Sequence, residues 1–288
     1  MRSIIFSIIF FICQPNFSQI KTPRVSPSTE ISQMVGLTEI KIKYSRPSAR
    51  DRDIFGELVP FNKIWRTGAD NSTKINFSTN VSIGDELIKA GEYSIFSIPD
   101  KNKWQIIFYS ETDLWGVPRD WSDDKISYSF FVDVKKVKKD SFIETFLISF
   151  ENITNNDVDI KIGWENTSVV LNIEVPTLEL VENNIKNVMS GNPSSSDYYA
   201  AAVYYKQENI KLDKALEWIN LAIDMSDSPR FWQYRQQSLI MAANGKYIEA
   251  IEAANNSLKL AEDANNESYV KMNKESISKW TKKLKSVY

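Results

Sequence analysis

The sequence predicts two unlike parts, an all-β sandwich or barrel followed by an all-α helical array, and three observations carry that expectation. Alanine is scarce at first, with only Ala49, Ala69 and Ala90 before residue 177, and then occurs twelve times between Ala200 and Ala264. Phenylalanine and proline run the other way: Phe231 is the only phenylalanine after Phe150, and all but three of the ten prolines precede residue 176. Alanine favours helices and aromatic residues favour strands, so the composition shift marks a change of architecture. The third observation is periodicity, which alternates every second residue in the first part and repeats at a spacing of 35 positions, from Ala215 to Ala250, in the second. The predicted domains are 24–175 and 178–288, a division that suits 288 residues.

Glu39-Ile40-Lys41-Ile42-Lys43-Tyr44 sets the strand pattern, polar and apolar in strict alternation, as a strand with one wet face requires. Further strands are expected at Lys74–Phe77, Val81–Ile83, Glu92–Ile98, Trp104–Tyr109, Ser127–Val134, Phe142–Phe150, Val158–Trp164 and Ser168–Val175. Gly84-Asp85, Pro99-Asp100, Asn155-Asn156-Asp157 and Glu165-Asn166 supply turn chemistry between them. Short strands joined by hairpin turns point to an antiparallel sandwich or barrel and away from a parallel sheet with a nucleotide crevice.

Beyond Pro176, Leu178–Met189 reads as a connecting helix that stops near Gly191-Asn192-Pro193, and Asp197 as the N-cap of the next. Lys214–Ile223 and Glu249–Leu258 align with each other, each with an upstream helix, Tyr198–Gln207 and Arg230–Ala243. The period resembles the tetratricopeptide pattern, although two units fall short of the three usually needed for a continuous core. Ser268–Lys285 is then the closing helix, and small residues such as Ala215 and Ala250 belong where helices approach closely.

The amino terminus has one positive charge, Arg2, followed by an apolar run from Ile4 to Ile12 that is too short to span a bilayer. This layout predicts a secretory signal over residues 1–18, with cleavage after Ser18, and hence a periplasmic or extracellular protein whose mature chain has no membrane span. Cys13 is the sole cysteine, so no disulfide forms within the chain. Histidine does not occur, which excludes imidazole as base, nucleophile or metal ligand, and no metal or cofactor is expected. A net charge of −2 and the short basic run Lys135-Lys136-Val137-Lys138-Lys139 offer nucleic acid no broad surface. Asn152–Asp159 is rich in oxygen ligands for calcium but lacks EF-hand spacing, and reads first as a hairpin turn.

One stretch looks chemical. From Ser45 to Asn71 the chain has no clear period, yet it is aromatic and dense in charge, with Arg46, Arg50, Arg52 and Arg66 near Asp51, Asp53 and Asp70. Long connections of this kind bind ligands, act as lids, or plug an open barrel end.

The words Ser26-Pro27, Gln33-Met34-Val35-Gly36, Tyr44-Ser45-Arg46-Pro47, Ile54-Phe55-Gly56, Leu58-Val59-Pro60, Trp65-Arg66-Thr67-Gly68-Ala69, Ala90-Gly91-Glu92-Tyr93-Ser94 and Trp115-Gly116 resemble the domain-of-unknown-function family 2911 over residues 26–175. The resemblance implies an exported, mostly β domain that is sometimes followed by tetratricopeptide-like helices. It implies no activity and transfers no catalytic residue. Asp51-Arg52-Asp53 departs from the family, which more often carries a Gly-Arg pair there.

Read from its residues alone, the loop supports four chemistries. Guanidinium groups can pair with the loop's own carboxylates and pin it, the reading weighted most. They can instead receive an anionic ligand, or Trp65 can stack on a sugar whose hydroxyls bond Asp70 and Asn71. Asp51, Asp53 and Asp70 can also supply an acid and a base for hydrolysis of a glycan or ester. The candidate ligand-binding set is Tyr44, Arg46, Arg52, Trp65, Arg66, Asp70 and Asn71, with catalytic residues undefined. The expected function is a non-enzymatic binding or interaction module of the cell envelope, its helical array holding a protein partner, with a carboxylate-dependent hydrolase as the alternative.

Overall fold

A computed structural model describes residues 22–136 and 141–287. The predicted signal segment with Cys13, and Val137, Lys138 and Lys139 of the basic run, lie outside the described residues. The chain forms two compact units that divide after Thr177.

The first unit has eleven strands among its described residues: β1 (Ser28–Val35), β2 (Thr38–Ser45), β3 (Thr73–Phe77), β4 (Val81–Ile83), β5 (Glu86–Ile88), β6 (Gly91–Ile98), β7 (Lys103–Tyr109), β8 (Ile126–Lys136), β9 (Ile143–Glu151), β10 (Asp157–Glu165) and β11 (Thr167–Glu174). Their order is β1-β2-β3-β6-β7-β8-β11-β10-β9, with β4 pairing β11 and β5. Every pairing is antiparallel, and the sheet curls into a nearly closed barrel, one of the two architectures the sequence allowed. Strand β8 joins the halves, since Ile126–Asp133 faces β7 while Val134–Lys136 faces β11.

The alternation read along residues 39–44 is the real burial pattern: Ile40, Ile42 and Tyr44 point into the core, and Lys41 and Lys43 out. Ile75, Phe77, Trp104, Ile106, Phe108, Phe146, Ile160, Ile162 and Trp164 fill the same interior from other strands. The loss of water from this apolar surface is the main force holding the barrel. Strand β1 was not expected. It is an edge strand of which only Val35 is buried, so it shows no apolar stripe. Its hairpin to β2 turns at Gly36, where φ is +53° and an added Cβ would sit 1.9 Å from Thr177 Oγ1, so only glycine fits.

The second unit is six helices: α1 (Thr177–Met189), α2 (Ser195–Gln207), α3 (Leu212–Asp224), α4 (Phe231–Ala243), α5 (Tyr247–Asp263) and α6 (Glu267–Val287). Each expected helix is present. Ala215 and Ala250, the residues that set the 35-position spacing, are both fully buried, where a larger side chain would hold the helices apart. Asp197 is not the N-cap of α2. Ser194 is, and Asp197 closes a reciprocal box by accepting the Ser194 amide at 2.8 Å. Among the described residues no helix is long and apolar enough to cross a membrane.

Candidate ligand-binding site

The irregular stretch after β2 closes the barrel. Strand order leaves β1 and β9 as the two ends of the sheet, and across the seam at β9 residues 46–50, which run on from β2, bond as a substitute strand. Ala49 N donates to Glu144 O at 2.7 Å, Phe146 N donates to Pro47 O at 2.8 Å, and Ser48 bridges Thr145. The Arg46 Nε donates to Phe146 O at 3.0 Å. Tyr44, 3% exposed, donates its hydroxyl to Ile148 O and accepts from Ile148 N, each at 3.0 Å. The Tyr44 hydroxyl and the Arg46 Nε, both from residues placed in the ligand set by sequence, are therefore committed to the seam.

Beyond the seam the backbone is strained. Arg50, Asp51, Thr67 and Asp70 all have φ between +52° and +59°, a region that side-chain-bearing residues seldom occupy. Thr67 is β-branched and fully buried, so its geometry is held by its surroundings. Its hydroxyl lies 2.7 Å from Ser97 Oγ, and its carbonyl accepts from the Thr73 hydroxyl. Trp65 pairs with Ser97 through both backbone groups, which adds this part of the loop to β6. Strain of this kind persists where the fold over-determines a local shape, often at a binding site.

Between these two strained corners lies a cavity of about 360 Å³. Arg50, Arg52, Trp65, Arg66, Asp70 and Trp164 are among its lining residues. The expected internal ion-pair network does not form. Among the described residues no ion pair joins Arg46, Arg50, Arg52 or Arg66 to Asp51, Asp53 or Asp70; Asp70 meets Arg24 instead, at 3.9 Å. The guanidinium groups bond backbone carbonyls. Arg52 donates to Ala49 O and Ser48 O, both at 2.8 Å, Arg66 donates to Asp70 O at 2.9 Å, and Arg50 reaches Val25 O at 3.4 Å. The reason is local: turns through left-handed residues leave carbonyls without ladder partners, and a nearby fork of donors satisfies them. Each guanidinium carries five N–H groups, so these bonds orient the three arginines without exhausting them.

Trp65 is no free stacking platform. Its ring packs among Phe55, Trp104, Phe146 and Trp164 at centroid distances of 5.4–6.1 Å, and its indole N–H donates to Gly68 O at 3.0 Å. Arg66 rests on a glycine, since a Cβ at Gly116 would lie 2.9 Å from its Cζ. Asn71 bridges Trp115 and lines a neighbouring cavity together with Tyr44. Of the seven residues proposed from sequence, Arg52, Trp65, Arg66 and Asp70 meet at the first cavity; Tyr44, Arg46 and Asn71 do not. Arg50 and Trp164 are among the lining residues outside that set. Arg50 stands in the same charged run and was open to inclusion, whereas Trp164 comes from β10 and nothing local signals it.

Asp51 and Asp53 are exposed and stand outside the cavity lining, which leaves Asp70 as the carboxylate in it. In the Asn152–Asp159 hairpin the Asp159 carboxylate accepts from the side-chain amides of Asn152 at 2.8 Å and of Asn172, on β11, at 2.9 Å. Among the described residues no group of three His, Cys, Asp or Glu side chains is placed to hold a metal.

Residues 26–173 match the model described as "Protein of unknown function (DUF2911)", and the chain belongs to that family. No curated protein and no solved structure matches it.

Proposed function

We propose that the barrel is a non-catalytic binding module for a small anionic ligand, carried by an exported protein. One observation bears most of the weight: three guanidinium groups, Arg50, Arg52 and Arg66, line one cavity against a single carboxylate, Asp70. Uncompensated arginines in a concave wall favour a carboxylate or similar anion, which can accept two donors from one fork. Trp65 and Trp164 offer apolar contact to the rest of the molecule. A sugar reading has less support because the Trp65 ring is enclosed by other aromatic rings. Hydrolysis by a carboxylate pair has less support because Asp70 has no carboxylate partner in the cavity.

Export rests on the layout of residues 1–18, and the tetratricopeptide reading of the helices on the 35-position spacing and the buried alanines that set it. In that reading the array holds a protein partner.

Isothermal titration of the full chain with heptanoate at low ionic strength tests the site. Saturable binding that Arg52→Ala weakens about tenfold or more, the size of one lost charge-assisted contact, is expected. Asp53→Asn, outside the cavity, should leave the affinity unchanged. Equal weakening by both substitutions, or turnover of chromogenic esters or glycosides by the purified protein, overturns the proposal.

A further inference from the structure

A second cavity of about 340 Å³ adjoins the first, and its cations are Arg24, Lys43 and Lys74 against one acid, Asp113. Lys74 is committed to neighbours, its Nζ lying 2.8 Å from Asp113 and 3.3 Å from Glu92. Lys43 makes no ion pair among the described residues, and Arg24 has only the loose contact with Asp70 at 3.9 Å. That distance is beyond a hydrogen bond, and Arg24 is 61% exposed, so the contact holds little energy.

The two cavities share walls. Three stretches of chain each give one cavity a residue and the other its near neighbour: Arg24 against Val25 and Ser26, Ser45 against Pro47 and Ser48, and Asn71 against Asp70. At each of these places one stretch of chain borders both spaces and forms the divide between them. The Arg24–Asp70 contact crosses that divide, with Arg24 lining the second cavity and Asp70 the first.

We propose that the cavities are two lobes of one site for a linear dianion. One carboxylate lies with Arg50, Arg52 and Arg66 and the other with Arg24 and Lys43, while Arg24 exchanges Asp70 for the ligand. The proposal rests on the anion reading of the first cavity and extends it to the ligand's class. When two weak charge contacts are joined by a spacer, the second forms within the complex, so affinity rises steeply at the spacer length that fits and is lost where the spacer cannot span.

The experiment is calorimetric titration of the full chain, at low ionic strength, with heptanoate and with linear dicarboxylates from succinate to azelate. One length in the series should bind about tenfold or more tighter than heptanoate, with affinity falling on either side. The double variant Arg24→Ala, Lys43→Ala alters two exposed side chains, and its fold is checked by circular dichroism. In that variant the best dicarboxylate should bind no tighter than heptanoate. Affinity that is flat along the series, or an equal loss for both acids in the double variant, overturns the two-lobed site while the first cavity stands. If neither acid binds the wild-type chain, the anion reading fails and this one with it.

Discussion

Replacing Tyr44 by phenylalanine removes one oxygen atom, yet it should weaken the barrel by about 2–5 kcal/mol. The hydroxyl both donates to and accepts from the backbone of Ile148, each at 3.0 Å, in a buried setting. Phenylalanine keeps the edge-on contact with Phe146 at a centroid distance of 5.8 Å, so packing is nearly unchanged. What changes is that an N–H and a C=O on β9 lose their partner across the seam, where β9 has no neighbouring strand to replace it. Each buried polar group left unmatched costs about 1–3 kcal/mol, and the sum, less the desolvation of the hydroxyl itself, gives the range stated. Because the chain has two units, bulk unfolding would mix their responses. Hydrogen exchange read by mass spectrometry on peptides from β9, with peptides from α5 as internal reference, separates them. A change below about 0.5 kcal/mol in β9, the usual size of an incidental surface effect, would refute the seam argument, as would an equal change in α5. Unchanged stability with weakened heptanoate binding would return Tyr44 to the ligand set.

Two other predictions concern different parts of the chain. Gly116→Ala places a methyl group 2.9 Å from Arg66 Cζ at a φ of +83°, so it should push the guanidinium aside, lower heptanoate affinity several-fold and cost the barrel about 1 kcal/mol; titration and the β9 exchange measurement read the two effects separately, and lost stability with intact binding would show that Arg66 gives the ligand nothing. The Asp197 carboxyl is held below the ordinary aspartate value of 3.8 by the Ser194 hydroxyl and then by the Ser194 amide. Its contribution to α2 is therefore complete above that value and disappears as pH falls through the lower folded one; the far-ultraviolet helix signal in acid titration should lose part of its slope in Asp197→Asn, and identical slopes would count against the cap.

Most strands were legible because one face is wet and the other dry, which writes period two into the chain. Strand β1 was not, since as an edge strand it buries only Val35, and β5 does not alternate, with Glu86 and Leu87 both exposed and only Ile88 buried. The seam left little trace because its ladder bonds join backbone groups of residues 47 and 49 to residues 144 and 146, and the side-chain bonds of Tyr44 and Arg46 also end on backbone atoms of β9, which carry no sequence code. The ion-pair expectation failed for a related reason. Proximity in sequence of arginine and aspartate says nothing about left-handed turns at Arg50, Asp51 and Asp70, and those turns expose the carbonyls that took the guanidinium donors. What was legible of the site was its address. The charged, aromatic, aperiodic stretch does supply Arg52, Trp65, Arg66 and Asp70 to one cavity, while Trp164 arrives through a pairing that only the closed sheet creates.

The residues that wall the first cavity, Pro47 and Ser48 among them, are also those that zip the loop to β9. A pocket built this way has no existence apart from the closed barrel. An anion that binds only the closed form raises the work of peeling β9 away by RT ln(1 + [L]/Kd), about 2.7 kcal/mol at a hundredfold excess over Kd. Linkage runs equally in reverse, so whatever loosens β9 weakens the ligand by the same factor. Substitutions along β9 that touch no guanidinium are, on this account, substitutions in affinity.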